Sequence, residues 1–284
     1  MLGTACGSAA STESVKPEQV STTNPNVENK SVVDHSQWEE LLKLYVRDDG
    51  KVDYDGFTKD KSKLEAYLAT LAELDFANLA NDDERNALHI NGYNAYTILA
   101  VVNEVYGKNS SVKNIKGFWD KKKYRLAKRD LTLDEIEKYS RDLDPRVHFA
   151  YNCASASCPR LQKFAFTGAK LQEQFDFITK DFLADTERGL SIDRDKKKIR
   201  ISRLFLWYAS DFKGNTSKSS QYWEFIKGQF SASVGVEFIK TKVDEETKKL
   251  FEDKKFDVSF MDYSWELNSI VPPAENLPKA PKNE

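Results

Sequence analysis

Up to about residue 31 the chain shows no hydrophobic period. Ser, Thr, Asn, Glu and Lys dominate "STESVKPEQVSTTNPNVENKSVV", a composition with too little apolar surface to offset the entropy of ordering it. Apolar positions then fall into periods. In "DHSQWEELLKLYVRDDG" (34–50), Trp38, Leu41, Leu42 and Tyr45 recur at helical spacing behind the capping candidates Asp34 and Ser36. "KVDYDGF" (51–57) reads as a short extended piece and "KSKLEAYLATLAEL" (61–74) as a second helix. The strongest helical pattern spans 82–107, capped by Asp82 or Asp83 and stopped near Gly107. Its second half is apolar nearly all round, the mark of a buried, central helix.

The second half of the chain alternates more. Tyr124, Leu126 and Leu131 suggest a small hairpin, and Thr132 followed by Glu135 is a capping box that opens a short helix. "RVHFAYN" (146–152) alternates and is rich in aromatic and β-branched residues, which predicts a strand. An amphipathic helix over 169–189 ends at Gly189, and 190–202 reads as a hairpin with Ile192, Ile199 and Ile201 facing inwards. The stretches 203–212 and 220–230 look helical, and 256–268 alternates like a late strand. With no repeat and no regular βαβ order, the pattern predicts one α+β domain over 32–270. In it a central buried helix packs against a mostly antiparallel sheet, and residues 271–284 form a tail.

Composition narrows the function. The chain has 284 residues, 43 of them basic and 45 acidic, for a net charge of −2. No concentrated basic surface is available for a phosphate backbone, which argues against a nucleic-acid partner. The lysine runs 121–123 and 196–198 read as solvated turns. No apolar run approaches the ~20 residues that span a bilayer. "LGTACGS" resembles the end of a bacterial lipoprotein signal, although Gly3 stands where an aliphatic residue is usual and the charged and apolar segments of a leader are missing. On that reading Cys6 is a lipid anchor on a flexible stalk and the protein belongs to the cell envelope.

That leaves "RVHFAYNCASASCPRL" (146–161), which holds one of three histidines and two of three cysteines. Cys153 could be a nucleophile if an imidazolium or a set of N–H donors lowered its pKa. His148 could serve as its base only if a bulge or strand end intervened, because residues five apart on one strand point to opposite faces. Asn152, Asn91 and Asn94 are candidate orienting or oxyanion-binding amides. Taken alone, Asn91 or Asn94 is better explained as tying down nearby loop backbone. Two other readings stay open: a zinc site on His148, Cys153 and Cys158, and a disulfide or redox pair between the cysteines. Pro159 makes Cys158 a framing residue and a poorer nucleophile than Cys153. His35 reads as a residue leading into the first helix, and His89 as an ordinary histidine.

The chain resembles the domain-of-unknown-function-547 family in "INGYNAYTI", "LTLDEIEKY", "DPRVHFAYNCASASCPRL", "WYASDF" and "FMDYSWELN", blocks that span roughly 85–268. The resemblance implies a fold and a cluster of His148, Asn152, Cys153 and Cys158, and it implies no reaction. That family commonly has Ala where Gly92 stands, so Gly92 suggests close backbone packing. The expectation from the residues is a papain-like or transglutaminase-like hydrolase or acyl transferase acting on a small-molecule or peptide amide or ester. Cys153 would be the nucleophile, His148 the base, and Asn94 or Asn152 the orienting amide. No cofactor is called for. Papain-like enzymes place the cysteine before the histidine, and here His148 comes first, so the arrangement would be a rearranged one. Tyr208, Trp207, Asp211 and Trp265 would wall its cleft. The competing expectation is a non-enzymatic envelope binding domain with structural cysteines.

Overall fold

The computed structural model describes residues 30–141, 143–213, 229–272, 274–275 and 277–281. Cys6, the polar N-terminal segment up to residue 29 and most of the 220–230 stretch lie outside the described residues. The first half is helical: α1 (Ser36–Tyr45), α2 (Tyr54–Lys59), α3 (Lys61–Glu73) and α4 (Asp82–Ala100). Helix α4 runs on as a π-helical turn over Val101–Val105. Its cap is Asn81, one residue earlier than the sequence suggests, with Oδ1 accepting from Glu84 N at 2.8 Å. Asp82, Asp83 and Glu84 then fall in the first turn, where negative charge complements the helix dipole.

Helix α4 is the centre of the molecule, packed between α3 and α5 (Leu133–Arg141). The hairpin β1 (Tyr124–Leu126)–β2 (Arg129–Leu131) lies against it through Leu126. A Cβ on Gly92 would sit 3.0 Å from Leu126 Cδ1, so the glycine accounts for the close approach. The hairpin turn places Ala127 and Lys128 at positive φ, and their N–H groups cap Leu71 O and Ala72 O at the end of α3. The capping box is present in both directions: Thr132 N donates to Glu135 Oε2 and Glu135 N to Thr132 Oγ1.

The second half comprises α6 (Leu171–Ala184), β3 (Leu190–Asp193), β4 (Lys198–Ile201), α7 (Leu204–Trp207), α8 (Ala209–Phe212), α9 (Gln229–Lys240), α10 (Glu245–Glu252) and β5 (Asp257–Phe260). Strands β3 and β4 pair antiparallel, β5 adds parallel to β4, and Ile199 and Ile201 are fully buried while Ile192 is half-buried. Phe149, Phe182, Phe205, Phe212 and Phe238 form the aromatic core between these elements.

Two local expectations change. "KVDYDGF" contributes only Val52 to bridges, with Val46 and Ser269, and Asp53 Oδ1 caps α2 at Gly56 N. "RVHFAYN" is no strand: Pro145–Phe149 is a 3₁₀ helix. Asp144 Oδ1 accepts from Arg146 N at 2.8 Å and Pro145 supplies a preset first-turn φ, so the cap outweighs the alternation. At the far end, Pro278 O accepts from Ser110 N at 3.3 Å and from Asn114 Nδ2 at 3.2 Å.

Candidate functional site

The site begins where the 3₁₀ helix ends. Asn94, buried on α4, donates from Nδ2 to Ala150 O at 2.9 Å and accepts from Asn152 N at 2.9 Å. It therefore braces the turn that leads into Cys153. Asn152 continues the brace: Nδ2 donates to Pro159 O at 2.7 Å, while Oδ1 accepts from Ala154 N at 3.0 Å and from Asn268 Nδ2 at 3.2 Å. Asn91, one helical turn back, holds Phe166 by the same two-bond pattern. In this structure all three amides are engaged with chain segments.

Beyond Cys153 the loop is pinned to the 264–268 segment. Ala156 N donates to Glu266 O at 2.7 Å, Asn268 N to Ala154 O at 3.0 Å and Ser264 N to Ser157 Oγ at 2.9 Å. Arg188 Nε adds a bond to Ala156 O. These ties hold Ala154 at φ 66°, a left-handed conformation that costs an L-residue on the order of 1–2 kcal/mol. Strain of this kind persists only where the surroundings over-determine it.

The thiols sit inside this frame, and both are free. Cys153 N donates to Cys158 Sγ at 3.0 Å, and Cys158 Sγ lies 3.6 Å from Tyr151 O. Cys153 Sγ is 3.1 Å from Ser155 Oγ and 3.4 Å from Tyr263 Oη, and those two hydroxyls are 2.7 Å apart. Donation from the Cys158 thiol, helped by Ser155 and Tyr263, outweighs burial and holds the Cys153 thiol below its ordinary value. Burial pushes Cys158 well up.

Cys153 lines a cleft of about 370 Å³ together with Cys158, His148, Glu137, Tyr208 and Trp265. His148 is buried, stacks on Tyr208 with ring centroids 4.0 Å apart, and bonds through Nε2 to Asp211 Oδ2 at 2.9 Å. Arg141 Nε meets the same oxygen at 2.9 Å, and Ser210 Oγ donates to Asp211 Oδ1. Burial favours the neutral carboxyl, but the His148, Arg141 and Ser210 bonds overcome it and bring Asp211 down to about 2. An ionised Asp211 can only accept, which puts the His148 proton on Nε2 and leaves Nδ1 as the basic nitrogen. Burial lowers the imidazole pKa despite that carboxylate, so the ring is neutral near pH 7. Glu137 is nine-tenths buried, and desolvation raises its carboxyl to about 7.

The structure thus puts His148, Cys153 and Cys158 on one cleft, with Asn94 and Asn152 behind it. Trp207, Tyr208 and Trp265 line the wall, and Asp211 stands behind His148. Tyr263, Ser155 and Glu137 were not legible as site residues. Tyr263 lies 110 residues from Cys153, and only its place in the 256–268 block hinted at it. The thiol's hydrogen-bond partners across the site are Ser155 and Tyr263, with no bond between Cys153 Sγ and His148 among the described residues. No group of three or more His, Cys, Asp or Glu among the described residues could hold a metal ion, so the zinc alternative finds no ligand set there. No described helix is long and apolar enough to cross a membrane.

No curated protein and no solved structure matches the chain. The family comparison does match, over a stretch that contains Asn94, Glu137, His148, Asn152 and both cleft cysteines but neither Asp211 nor Tyr263. Over residues 76–183 the chain matches the family described as "Protein of unknown function, DUF547".

Proposed function

We propose that this protein is a cysteine-dependent hydrolase or acyl transferase acting on an amide or ester. The observation that carries the reading is Cys153 Sγ, held by two hydroxyls beside a second thiol on the wall of a cleft that it shares with a carboxylate-bound imidazole. A thiol with a depressed pKa is substantially ionised near neutrality, and thiolate is the nucleophilic form. Its sulfur would add to the substrate carbonyl carbon. Collapse would then expel the amine or alcohol, which takes up a proton, and leave a thioester on Cys153. Neutral His148, oriented by Asp211, would supply the basic nitrogen that deprotonates the incoming water or acceptor. Glu137 brings a second titrating group to the same cleft.

In this reading Asn94 and Asn152 are positioning residues that set the Cys153 turn. With a lipid on Cys6, the substrate would be found in cell-envelope material, a point tested by loss of labelled-palmitate incorporation in Cys6→Ser. The activity is tested with p-nitrophenyl esters and p-nitroanilides on wild type and Cys153→Ala. A burst, an acyl adduct on the Cys153 peptide and loss of both in the variant are expected. Equal turnover by Cys153→Ala, or no adduct with any acyl donor, would remove the proposal.

A further inference from the structure

We propose that Cys153 is a site of reversible oxidation by hydroperoxides, with Cys158 as the thiol that resolves it by closing a Cys153–Cys158 disulfide. This rests on the reading of Cys153 as a reactive thiol, and it does not require that the protein hydrolyse anything.

The two sulfurs are placed asymmetrically. Cys153 is part-exposed on the cleft wall, open to a small oxidant. Cys158 is 5% exposed, closed to external thiols, yet its Sγ lies 3.0 Å from the Cys153 backbone nitrogen. A sulfur that close to N of Cys153 is within a side-chain rotation of Cys153 Sγ, well inside the reach of a disulfide. The intervening loop is held at both ends, by Asn152 to Pro159 O and by Ser157 to Ser264, so the cysteines stay together while the cross-link forms. The bonds that Ser155 and Tyr263 make to Cys153 Sγ exist only while that sulfur is unbridged. They stabilise the reduced form, and a disulfide whose reduced form is stabilised is easily reduced again.

The chemistry balances in two steps. The Cys153 thiolate attacks a peroxide oxygen: an S–O bond forms, the O–O bond breaks, and the leaving hydroxide (alkoxide, from an organic hydroperoxide) takes a proton to become water or an alcohol. Cys153 is thereby oxidised by two electrons to the sulfenic acid. Cys158 then gives up its proton and attacks that sulfur. An S–S bond forms, the S–O bond breaks, and the oxygen leaves as water. A dithiol reductant restores both thiols, which is what keeps Cys153 from the irreversible sulfinic state.

The test treats the full chain in a Cys6→Ser background with stoichiometric hydrogen peroxide. Peptides are mapped without reduction, in the presence of dimedone to trap sulfenic acid. Wild-type cleft cysteines should become unavailable to alkylation together, appear as one cross-linked peptide and return with dithiothreitol. Cys158→Ser should instead accumulate the dimedone adduct and then sulfinic acid at Cys153. Overoxidation of Cys153 in the Cys158-containing protein at the variant's rate, or alkylatable Cys158 after Cys153 has been consumed, would overturn the proposal. The wild-type map decides even if the variant folds poorly. Ester turnover is read in parallel. Cross-linking without turnover sinks the hydrolase alone, and turnover without cross-linking sinks the oxidation site alone.

Discussion

Replacing Asn94 by alanine separates a bracing amide from one that takes part in chemistry. Asn94 is 3% exposed, and its two amide ends satisfy two backbone groups, the Ala150 carbonyl and the Asn152 N–H, each at 2.9 Å. Alanine leaves both without partners in a site closed to water. At about 1–3 kcal/mol for each orphaned buried group, the cost is ~2–6 kcal/mol. Alanine is the better helix former by up to ~0.7 kcal/mol, which leaves a net loss of about 1–5 kcal/mol. With a urea slope of ~2–3 kcal/mol/M, the midpoint should fall by about 0.5–2.5 M. The measurement is equilibrium urea unfolding followed by circular dichroism, alongside Asn91→Ala. That control breaks the same two-bond pattern on Phe166, so it should lose comparable stability while leaving Cys153 alkylation kinetics unchanged. An Asn94→Ala midpoint equal to wild type, combined with lost turnover, would refute the bracing argument and put the amide on the substrate.

Other consequences follow from the same contacts. Cys158→Ala removes the neighbouring thiol that does most to hold the Cys153 pKa down. At ~1.5–3 kcal/mol for a hydrogen bond to a charged group and ~1.4 kcal/mol per pKa unit, the midpoint of iodoacetamide alkylation against pH should rise by about 1–2 units. An unmoved midpoint would shift the effect to Ser155 and Tyr263. Glu137 is raised by burial from its ordinary 4.5 to about 7, so the folded state holds a proton there that the unfolded state has released. Its contribution to stability therefore falls as pH rises from about 4.5 to 7, by roughly 3 kcal/mol in all. Glu137→Gln should gain on wild type over that window, and a pH-independent difference in unfolding free energy would contradict this. His148 has the opposite slope: kept below its ordinary value by burial, it costs stability as pH falls below about 6.5, where the unfolded imidazole charges first. His148→Gln should flatten that acid limb in urea titrations. Gly92→Ala puts a methyl 3.0 Å from the movable Leu126 Cδ1 and gains up to ~1 kcal/mol of helix propensity. Its thermal midpoint should stay near wild type, and a large loss would mean that Leu126 cannot yield.

What the sequence determined by itself was local. Capping chemistry and a 3.6-residue period are properties of neighbouring residues, so helix α4, the Thr132–Glu135 box and both hairpins could be read from the chain. So could the concentration of rare thiols after His148. The 3₁₀ helix at 145–149 was present in the Asp-Pro pair that opens it, but the alternation that follows gave a competing signal. Tertiary structure alone decided the site's partners. Asp211 reaches His148 across 63 residues, Tyr263 reaches Cys153 across 110, and Asn268 meets Asn152 across 116. No periodicity encodes such a meeting, because it depends on how whole elements pack. The same packing sets the electrostatics. A glutamate on a short amphipathic helix has an ordinary carboxyl until burial in the cleft withdraws its water, and a cysteine in a loop has an ordinary thiol until a second thiol and two hydroxyls close around it.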